Sequence, residues 1–478
     1  MRRKTSCRRV AVATLVIFCL SCLVMPVTVA SAQTTAPIRV LLGQNMGQVD
    51  FRVEQGQYLI VDAQSGKEIS RAITGVTWTV KKEGNNLKLL QGGTMLDAVY
   101  RGPSRLQAVN SDSLNLFNYQ GKRYRGGLAI HGEAGGLAVV NILDLEDYLY
   151  GVVAGEMVTT AGLEALKAQA IVSRTYTLSM IKADSFYDVV ANTSNQVYNG
   201  YEAEAGVGAE RVRQAVDATR GQVIYYDGQL INACYHANAG GHTEDSENVW
   251  STPLPYLRGV PSPEDVWALE YPRQSSTGWP AYNYNWSVSY TPQELLEKLN
   301  NWLAGQGRPP VARINDLVIS RLKRDGQGET VSGRVTRLDI YTDRGLMSVT
   351  NNNIRSVFGL PSTLFTVKMQ SAVNILDGSG QQRQASLDKL VVLGAAGVSS
   401  TPNGTRGEYT VLGINGSRTL AKASDRVVFQ GRGNGHGLGM SQWGAMGMAE
   451  KGYTCQQIIE HYYNQGNLDG RLKIAPLK

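Results

Sequence analysis

Leu145-Glu-Asp-Tyr-Leu-Tyr-Gly-Val-Val-Ala-Gly-Glu-Met157 and Glu164-Ala-Leu-Lys-Ala-Gln-Ala-Ile-Val-Ser-Arg-Thr-Tyr176 decide how the rest of the chain is read. In the first stretch Asp144 can cap a short helix, and Tyr148, Leu149 and Val152 recur at helical spacing. Gly155 is the expected C-terminal stop, which leaves Glu156 on a turn. The second stretch reads as a helix from about 163 to 181, apolar nearly all round through Ala165, Ala168, Ala170, Ile171, Val172 and Leu178. Such a helix belongs in an interior.

Long polar side chains on an interior helix need partners. Lys167 and Arg174 fall on one side of it, two turns apart, and Glu156 is the nearest anionic candidate in sequence. Two readings of Glu156 follow. It is a helix-end carboxylate in a structural ion pair, or a partly desolvated acid of the kind that general acid/base chemistry on a glycosidic bond requires.

Outward from this pair, residues 1–32 read as an export signal: Arg2, Arg3, Lys4, Arg8 and Arg9 precede an apolar run from Val10 to Met25 and an Ala30-Ser31-Ala32 cleavage site. The run is short for a membrane span, so the protein is expected to leave the cytoplasm. Five of the 47 basic residues and none of the 40 acidic ones lie in this segment, so the formal charge of +7 falls to +2 without it. That balance excludes a nucleic-acid binder. Three of the five cysteines also lie there, leaving Cys234 and Cys455, enough for one disulfide and too few for a disulfide scaffold.

The expected fold class is α+β: mixed sheets with the buried helical pair, a peripheral β-rich N-terminal region over 33–122, and a β insertion over 370–426. Ile38–Leu42, Tyr58–Val61 and Val76–Val80 read as strands, as do Tyr124–His131 and Leu137–Asn141. Val223–Tyr226 and Leu230–His236 read as strands paired around Asp227-Gly228. Residues 252–290, rich in Pro, Trp and Tyr, read as a long surface loop, and Thr291-Pro opens a helix through Leu299. The core is expected over 123–369 and again over 427–478.

Phe429-Gln-Gly-Arg-Gly-Asn-Gly-His-Gly-Leu-Gly-Met-Ser-Gln-Trp-Gly444 places glycine at every second position, which suits close approach of backbone to a strand or ligand. It lacks Gly-Lys-Ser/Thr and fails the dinucleotide spacing, so nucleotide binding is set aside. Ser441 is placed to cap a following helix, and Cys455–Tyr463 reads as another. His236 and His242 flank Ala237-Asn-Ala-Gly-Gly241 with Glu244 and Asp245 beyond; a metal pair and hydrogen-bonded structural histidines are both open. Cys234, two residues from His236, leaves a Cys/His nucleophile beside a structural thiol.

Together these stretches resemble one family. Tyr148-Leu-Tyr-Gly-Val-Val, Glu156-Met157, Glu164-Ala-Leu-Lys-Ala-Gln-Ala170, Arg174-Thr-Tyr176, Gln196-Val-Tyr198 with Gly200, His236 with Gly240-Gly-His242, and Gly433-Asn-Gly-His-Gly-Leu-Gly-Met-Ser-Gln442 are similar to the stage II sporulation protein D family, also called the amidase enhancer or LytB family. The resemblance runs over roughly residues 38–470. It implies an exported peptidoglycan lytic transglycosylase that cuts glycan strands between N-acetylmuramic acid and N-acetylglucosamine, leaving a 1,6-anhydro end and needing no cofactor. Its implied setting is the sporulation septum, beside a cell-wall amidase that first strips stem peptides and other septal sporulation proteins.

The family's glutamate matches Glu156 by its place before Met157, while Val158 stands where the family usually has proline. Lys167 or Arg174 is expected to set its pKa, and Tyr148, Tyr198 and Tyr201 to offer ring faces to sugars, with Tyr148 equally at home in the core. The other residues expected around the glycan are Tyr176, Gln196, His236, Gly240, Gly241, His242, His436, Ser441 and Gln442. Some members hold zinc through a histidine and two cysteines. His236 matches that histidine, but His242 and Asn248 stand where the cysteines would be, and no metal is expected. Two other functions stay open: a non-catalytic glycan binder that activates an amidase, and a metal hydrolase built on His236, His242 and His436.

Overall fold

The computed structural model describes residues 37–477, apart from 111–112, 272–282, 371, 377–378, 387–391, 395–396, 400–407, 414–415 and 422–425. The expected export signal lies outside the described residues. Among these residues no helix is long and apolar enough to cross a membrane.

The first helix, α1 (Leu145–Glu156), starts where the Asp144 carboxylate accepts from the Glu146 amide at 2.8 Å. Such a cap contributes about 1 kcal/mol. The helix runs through Gly155, so the expected glycine stop is corrected: Glu156 is the last helical residue, and Met157 turns extended at φ −122°. Gly155 serves a different need. A Cβ there would lie 2.8 Å from the Val197 carbonyl oxygen, and one at Gly151 would lie 2.6 Å from the Tyr198 ring. The segment around Val197 therefore closes directly onto the helix.

The second helix, α2 (Leu163–Ser179), is buried on nearly every side, including Gln169, Ser173, Arg174, Thr175 and Thr177. Its cations do not meet Glu156. Arg174, 1 % exposed at its side chain, holds Glu146 through bonds of 2.5 and 2.8 Å, and Lys167 pairs with Glu164 one turn away at 2.7 Å. The expectation that either sets the state of Glu156 is corrected. A guanidinium buried this deeply selects the carboxylate that can meet it side-on from α1, and Glu146 does so.

Both helices share one apolar core with two sheets. In the seven-stranded sheet the order is Val189–Val190, Ile38–Met46, Gly136–Leu143, Gly127–Glu133, Ser104–Ala108, Tyr58–Asp62, Glu68–Ala72. In the six-stranded sheet Gln48–Gln55 lies between Leu116–Tyr119 and Thr77–Glu83. Alternation drives both: in Gln48–Gln55, Val49, Phe51 and Val53 point inward between exposed neighbours. Ile38–Met46 pairs antiparallel with Gly136–Leu143, so hydrogen bonds run across the expected division at residue 122.

Farther on, Asp227-Gly228 turns at φ 49° and 79°, yet the pairing it makes covers two residues on each side. The chain then leaves this hairpin, and Tyr235–His236 pairs parallel with Met440–Ser441. Residues 252–290 are not a plain surface loop: Leu257, Val260, Ser262, Asp265 and Ala268 are buried, and Asn285–Tyr290 is a strand. A second apolar cluster joins the helix Pro292–Gly305, capped by Thr291 and Glu294, to the sheet Ile314–Ser320, Arg337–Thr342, Gly345–Thr350.

Phe365–Gln370 pairs antiparallel with Arg426–Arg432, and between them lie hairpins such as Ala372–Leu376 with Gln382–Ser386 and Glu408–Gly413 with Gly416–Ala421. That is the expected β insertion, leaving and rejoining the body at one place. The returning strand delivers the alternating glycines against residues 234–240. A Cβ at Gly439 would lie 2.1 Å from the Cys234 carbonyl, and one at Gly435 2.6 Å from the Cβ of His236. The alternation thus serves backbone-to-backbone approach.

Candidate active site

The end of α1, the segment before Val197, the Tyr235–His236 strand and the glycine-rich return enclose a cavity of about 410 Å3. Glu156 lines it, with Tyr176, Asn195, Tyr235, Trp250 and Arg355 among its neighbours. Among the described lining residues Glu156 is the one carboxylate.

Its Oε1 accepts the Val197 amide at 2.6 Å, and Gln442 Nε2 approaches its backbone carbonyl at 3.0 Å and its Oε2 at 3.3 Å. The Tyr235 hydroxyl is a third donor. These donors favour the carboxylate, but burial is the larger influence and holds the pKa above its ordinary value. Among the described residues no cation forms an ion pair with Glu156, so its state is governed by desolvation and neutral donors, not by a salt bridge.

Two histidines line the cavity as well. A carbonyl accepts only, so His236 donates from Nδ1 to Leu438 at 3.0 Å, and its buried Nε2 is left as an acceptor with no partner among the described residues. His436 donates from Nε2 to the Tyr235 carbonyl at 2.8 Å and accepts the Leu438 amide at Nδ1 at 3.1 Å. Burial, with Arg355 and Arg334 nearby, pushes His436 down to about 3; burial and its two basic neighbours push His236 well down too. Both rings are neutral. His436 lies 5.3 Å from the His236 ring and 5.1 Å from Trp250, whose 39 % exposure leaves indole surface at the cavity.

Of the residues expected around a glycan, Glu156, Tyr176, His236, His436 and Gln442 come together at this cavity. Gln196 lies behind it, fully buried, bonded to the hydroxyls of Thr177 at 2.7 Å and of Tyr148 and Tyr235 at 3.2 Å. The rest stand elsewhere. Tyr148 and Tyr198 are core residues, Tyr198 donating to Asn141 at 3.0 Å, and Tyr201 lies under the guanidinium groups of Arg123 and Arg125. Lys167 and Arg174 are spent on their own carboxylates. Gly240, Gly241, His242 and Ser441 do not line the cavity. Gly241 and Ser441 donate to the buried Asp265 at 2.9 and 2.5 Å, and His242 donates to the Thr243 carbonyl at 2.6 Å.

The family-type zinc set does not fit here. His236 offers a bare nitrogen, but His242 points its Nδ1 at a backbone carbonyl, and Asn248 donates to Glu244 at 2.9 Å and accepts from the Arg324 amide at 3.1 Å. The three histidines of the hydrolase reading do not converge either. Cys234 and Cys455 are separate thiols; burial pushes Cys234 well up and Cys455 to about 11, so neither is a ready nucleophile.

Tyr235, Asn195, Trp250 and Arg355 escaped sequence reasoning. Tyr235 and Asn195 neighbour residues already singled out, His236 and Gln196, and were within reach. Trp250 and Arg355 have no local motif and reach the site through tertiary packing.

A family model described as stage II sporulation protein matches residues 133–226, and one described as a domain of unknown function matches 244–382. The chain is 27 % identical over 401 residues to the amidase enhancer of Bacillus subtilis, covering 79 % of this chain and 49 % of that protein. It is 26 % identical over 344 residues to the stage II sporulation protein D of the same organism, covering 68 % and 74 %. An uncharacterized protein of Brachyspira hyodysenteriae is 28 % identical over 416 residues, covering 86 % and 87 %. Both helices and Glu156 fall inside the first matched domain, so residues 133–226 match the stage II sporulation protein family, and over most of its length the chain is similar to the amidase enhancer and to stage II sporulation protein D.

Proposed function

We propose that the protein is an exported peptidoglycan lytic transglycosylase that uses Glu156 as its one acid/base group, acting at the cell wall in septal remodelling beside a cell-wall amidase. The observation that carries this reading is a desolvated carboxyl that, among the described residues, is the one carboxylate of its cavity and has no ion-pair partner, in a cavity that also presents aromatic faces and neutral amide donors. An ordinary glycosidase needs two carboxylates flanking the bond. A transglycosylase needs one, because the sugar's own 6-hydroxyl replaces water as nucleophile.

In this mechanism Glu156 starts protonated, a state its raised pKa favours. Oε1 is committed to the Val197 amide, so Oε2, with its long 3.3 Å contact, is the better place for the proton. That proton passes to the glycosidic oxygen as its bond to C1 of the muramic acid breaks, and the N-acetylglucosamine leaves with a free hydroxyl. The carboxylate then takes the proton of the 6-hydroxyl as O6 bonds to C1. The acid is regenerated, the 1,6-anhydro ring is closed and no water is consumed. Trp250 and Tyr176 offer ring faces to pyranoses.

Mass spectrometry of products from glycan strands tests this: wild-type protein should release anhydro ends, and Glu156→Gln should release none. Similarity to the amidase enhancer of Bacillus subtilis supports a second reading, a glycan binder that stimulates an amidase without cutting. Stimulation that survives Glu156→Gln, with no anhydro product from either protein, would favour it.

A further inference from the structure

We propose that Arg355 is the specificity-determining residue of this cavity and that it holds a sugar-borne carboxylate, the lactyl carboxylate of a muramic acid whose stem peptide has been removed. The inference rests on the cell-wall glycan reading above and deepens it.

Arg355 sits in the helix Asn353–Phe358, on a different element from Glu156, and lines the same cavity. Its own bonds are poor: Nη1 reaches Asn352 Oδ1 and Nε the Leu360 carbonyl, both at 3.4 Å. Among the described residues no carboxylate forms an ion pair with it, whereas Arg125, Arg174 and Arg258 each have one; the fully buried Arg334 is also without an ion pair but does not line the cavity, so Arg355 is the unpaired cation that a ligand there can reach. A partly buried charge without a counter-ion is unfavourable, and a guanidinium cannot escape by losing its proton. An anion delivered by a ligand would relieve it.

The rest of the cavity suits such an anion. His236 and His436 are neutral, and Asn352 and Asn434 supply uncharged polar groups. Glu156, the lining carboxylate, is the group that the reaction needs protonated. In a glycan of alternating N-acetylglucosamine and N-acetylmuramic acid, the backbone carboxylate belongs to the lactyl ether. When a stem peptide is attached, that carboxylate is an amide, neutral and unable to accept two parallel N–H bonds from a guanidinium. Hydrolysis of the amide creates the group that Arg355 fits side-on.

The test uses the full chain carrying Glu156→Gln, which binds without cutting, and two probes: peptide-free glycan strands, and the same strands with lactyl carboxylates converted to methyl amides. The acid form should bind roughly ten- to hundredfold more tightly, as one charge-assisted pair predicts. Adding Arg355→Gln should erase the difference, and Arg355→Lys, which keeps charge without the fork, should restore part of it. Equal binding of the two probes by the Arg355 protein overturns the proposal without any need for a folded Arg355 variant. A preference that persists in Arg355→Gln overturns it too. The transglycosylase reading fails separately, if wild-type protein makes no anhydro product while the Arg355-dependent preference stands.

Discussion

Gln442 Nε2 lies 3.0 Å from the Glu156 carbonyl and 3.3 Å from its carboxyl, joining residues 286 positions apart. One side chain thus ties the start of the helix Gln442–Glu450 to the end of α1 and also biases the acid, since its N–H favours the carboxylate. Gln442→Ala should remove that bias. Glu156 would then titrate at higher pH, and the alkaline limb of the rate profile should move upward. Loss of the positioning bond should lower kcat by roughly tenfold, the scale of a hydrogen bond of about 1.5 kcal/mol to a charged group. Anhydro-product release measured across pH checks both, and an unchanged profile would remove Gln442 from the acid's surroundings.

The same logic gives the wild-type pH dependence. Burial holds the Glu156 pKa above its ordinary value, and the group acts first as an acid, so kcat should fall as pH rises through that raised pKa. Tyr235 also donates to the carboxyl, and Tyr235→Phe should move the fall to higher pH while the circular dichroism spectrum stays constant. A rate that climbs steadily through this range would show that Glu156 is not the proton donor.

Gly155 tests the packing behind the site. A Cβ would meet the Val197 carbonyl at 2.8 Å, and the Val197 amide is the donor to Glu156 Oε1. Helix propensity alone favours Gly155→Ala by roughly 1 kcal/mol. The clash should reverse that sign and displace the donor, so activity should drop about tenfold or more, with stability changed by less than about 2 kcal/mol, a modest overpacking effect. Urea titration read beside product release separates the two effects.

What was legible in the sequence and what was not divide along the range of the forces involved. α1 and α2 were legible because capping and periodicity act over a few residues: Asp144, Tyr148 and Val152 carry the signal locally. The partner of Arg174 was not, because Glu156 and Glu146 both lie nearby in sequence, and only the side each presents to α2 decides between them. Gly155 was misread for a related reason. A glycine at a helix end suggests a stop, whereas this one answers to Val197, 42 positions away. The glycine-rich return was readable as close approach, but the strand it approaches, Tyr235–His236, was fixed by tertiary pairing. Tyr198 is expected to offer its ring face to sugars, and core packing on Tyr124 and Tyr148 claims it instead.

Arg174 and Glu146 form a buried pair with further bonds from Arg174 to the Gln222 carbonyl at 3.1 Å and to Glu146 from the Gly221 amide at 3.1 Å. Removing one partner strands the other, and Arg174→Met or Glu146→Gln should each destabilise the fold by about 3–5 kcal/mol. The double variant should cost less than the sum of the two. Where either variant remains folded, the pH profile of product release should match wild type, because neither residue touches Glu156. A shifted profile would restore the ion-pair reading of that acid.

Asp265 provides a pH dependence of stability instead of rate. It is fully buried, accepts from Ser441 at 2.5 Å and Gly241 at 2.9 Å, and desolvation raises its pKa from 3.8 to about 6 despite these donors. Between those values the folded protein holds a proton that the unfolded chain has released. The free energy of unfolding therefore falls as pH rises, and the contribution is fully present below about 3.8 and lost above about 6. The shift corresponds to about 3 kcal/mol. Asp265→Asn keeps an oxygen to accept these bonds but does not titrate, so its stability relative to wild type should improve by about that amount between pH 4 and pH 7. Urea midpoints of the two proteins measured side by side give the difference, in which all other titrating groups cancel. A constant difference over that range would mean that Asp265 ionises as freely in the fold as in water, and that the network holding Ser441 and the start of the Gln442–Glu450 helix is indifferent to its charge.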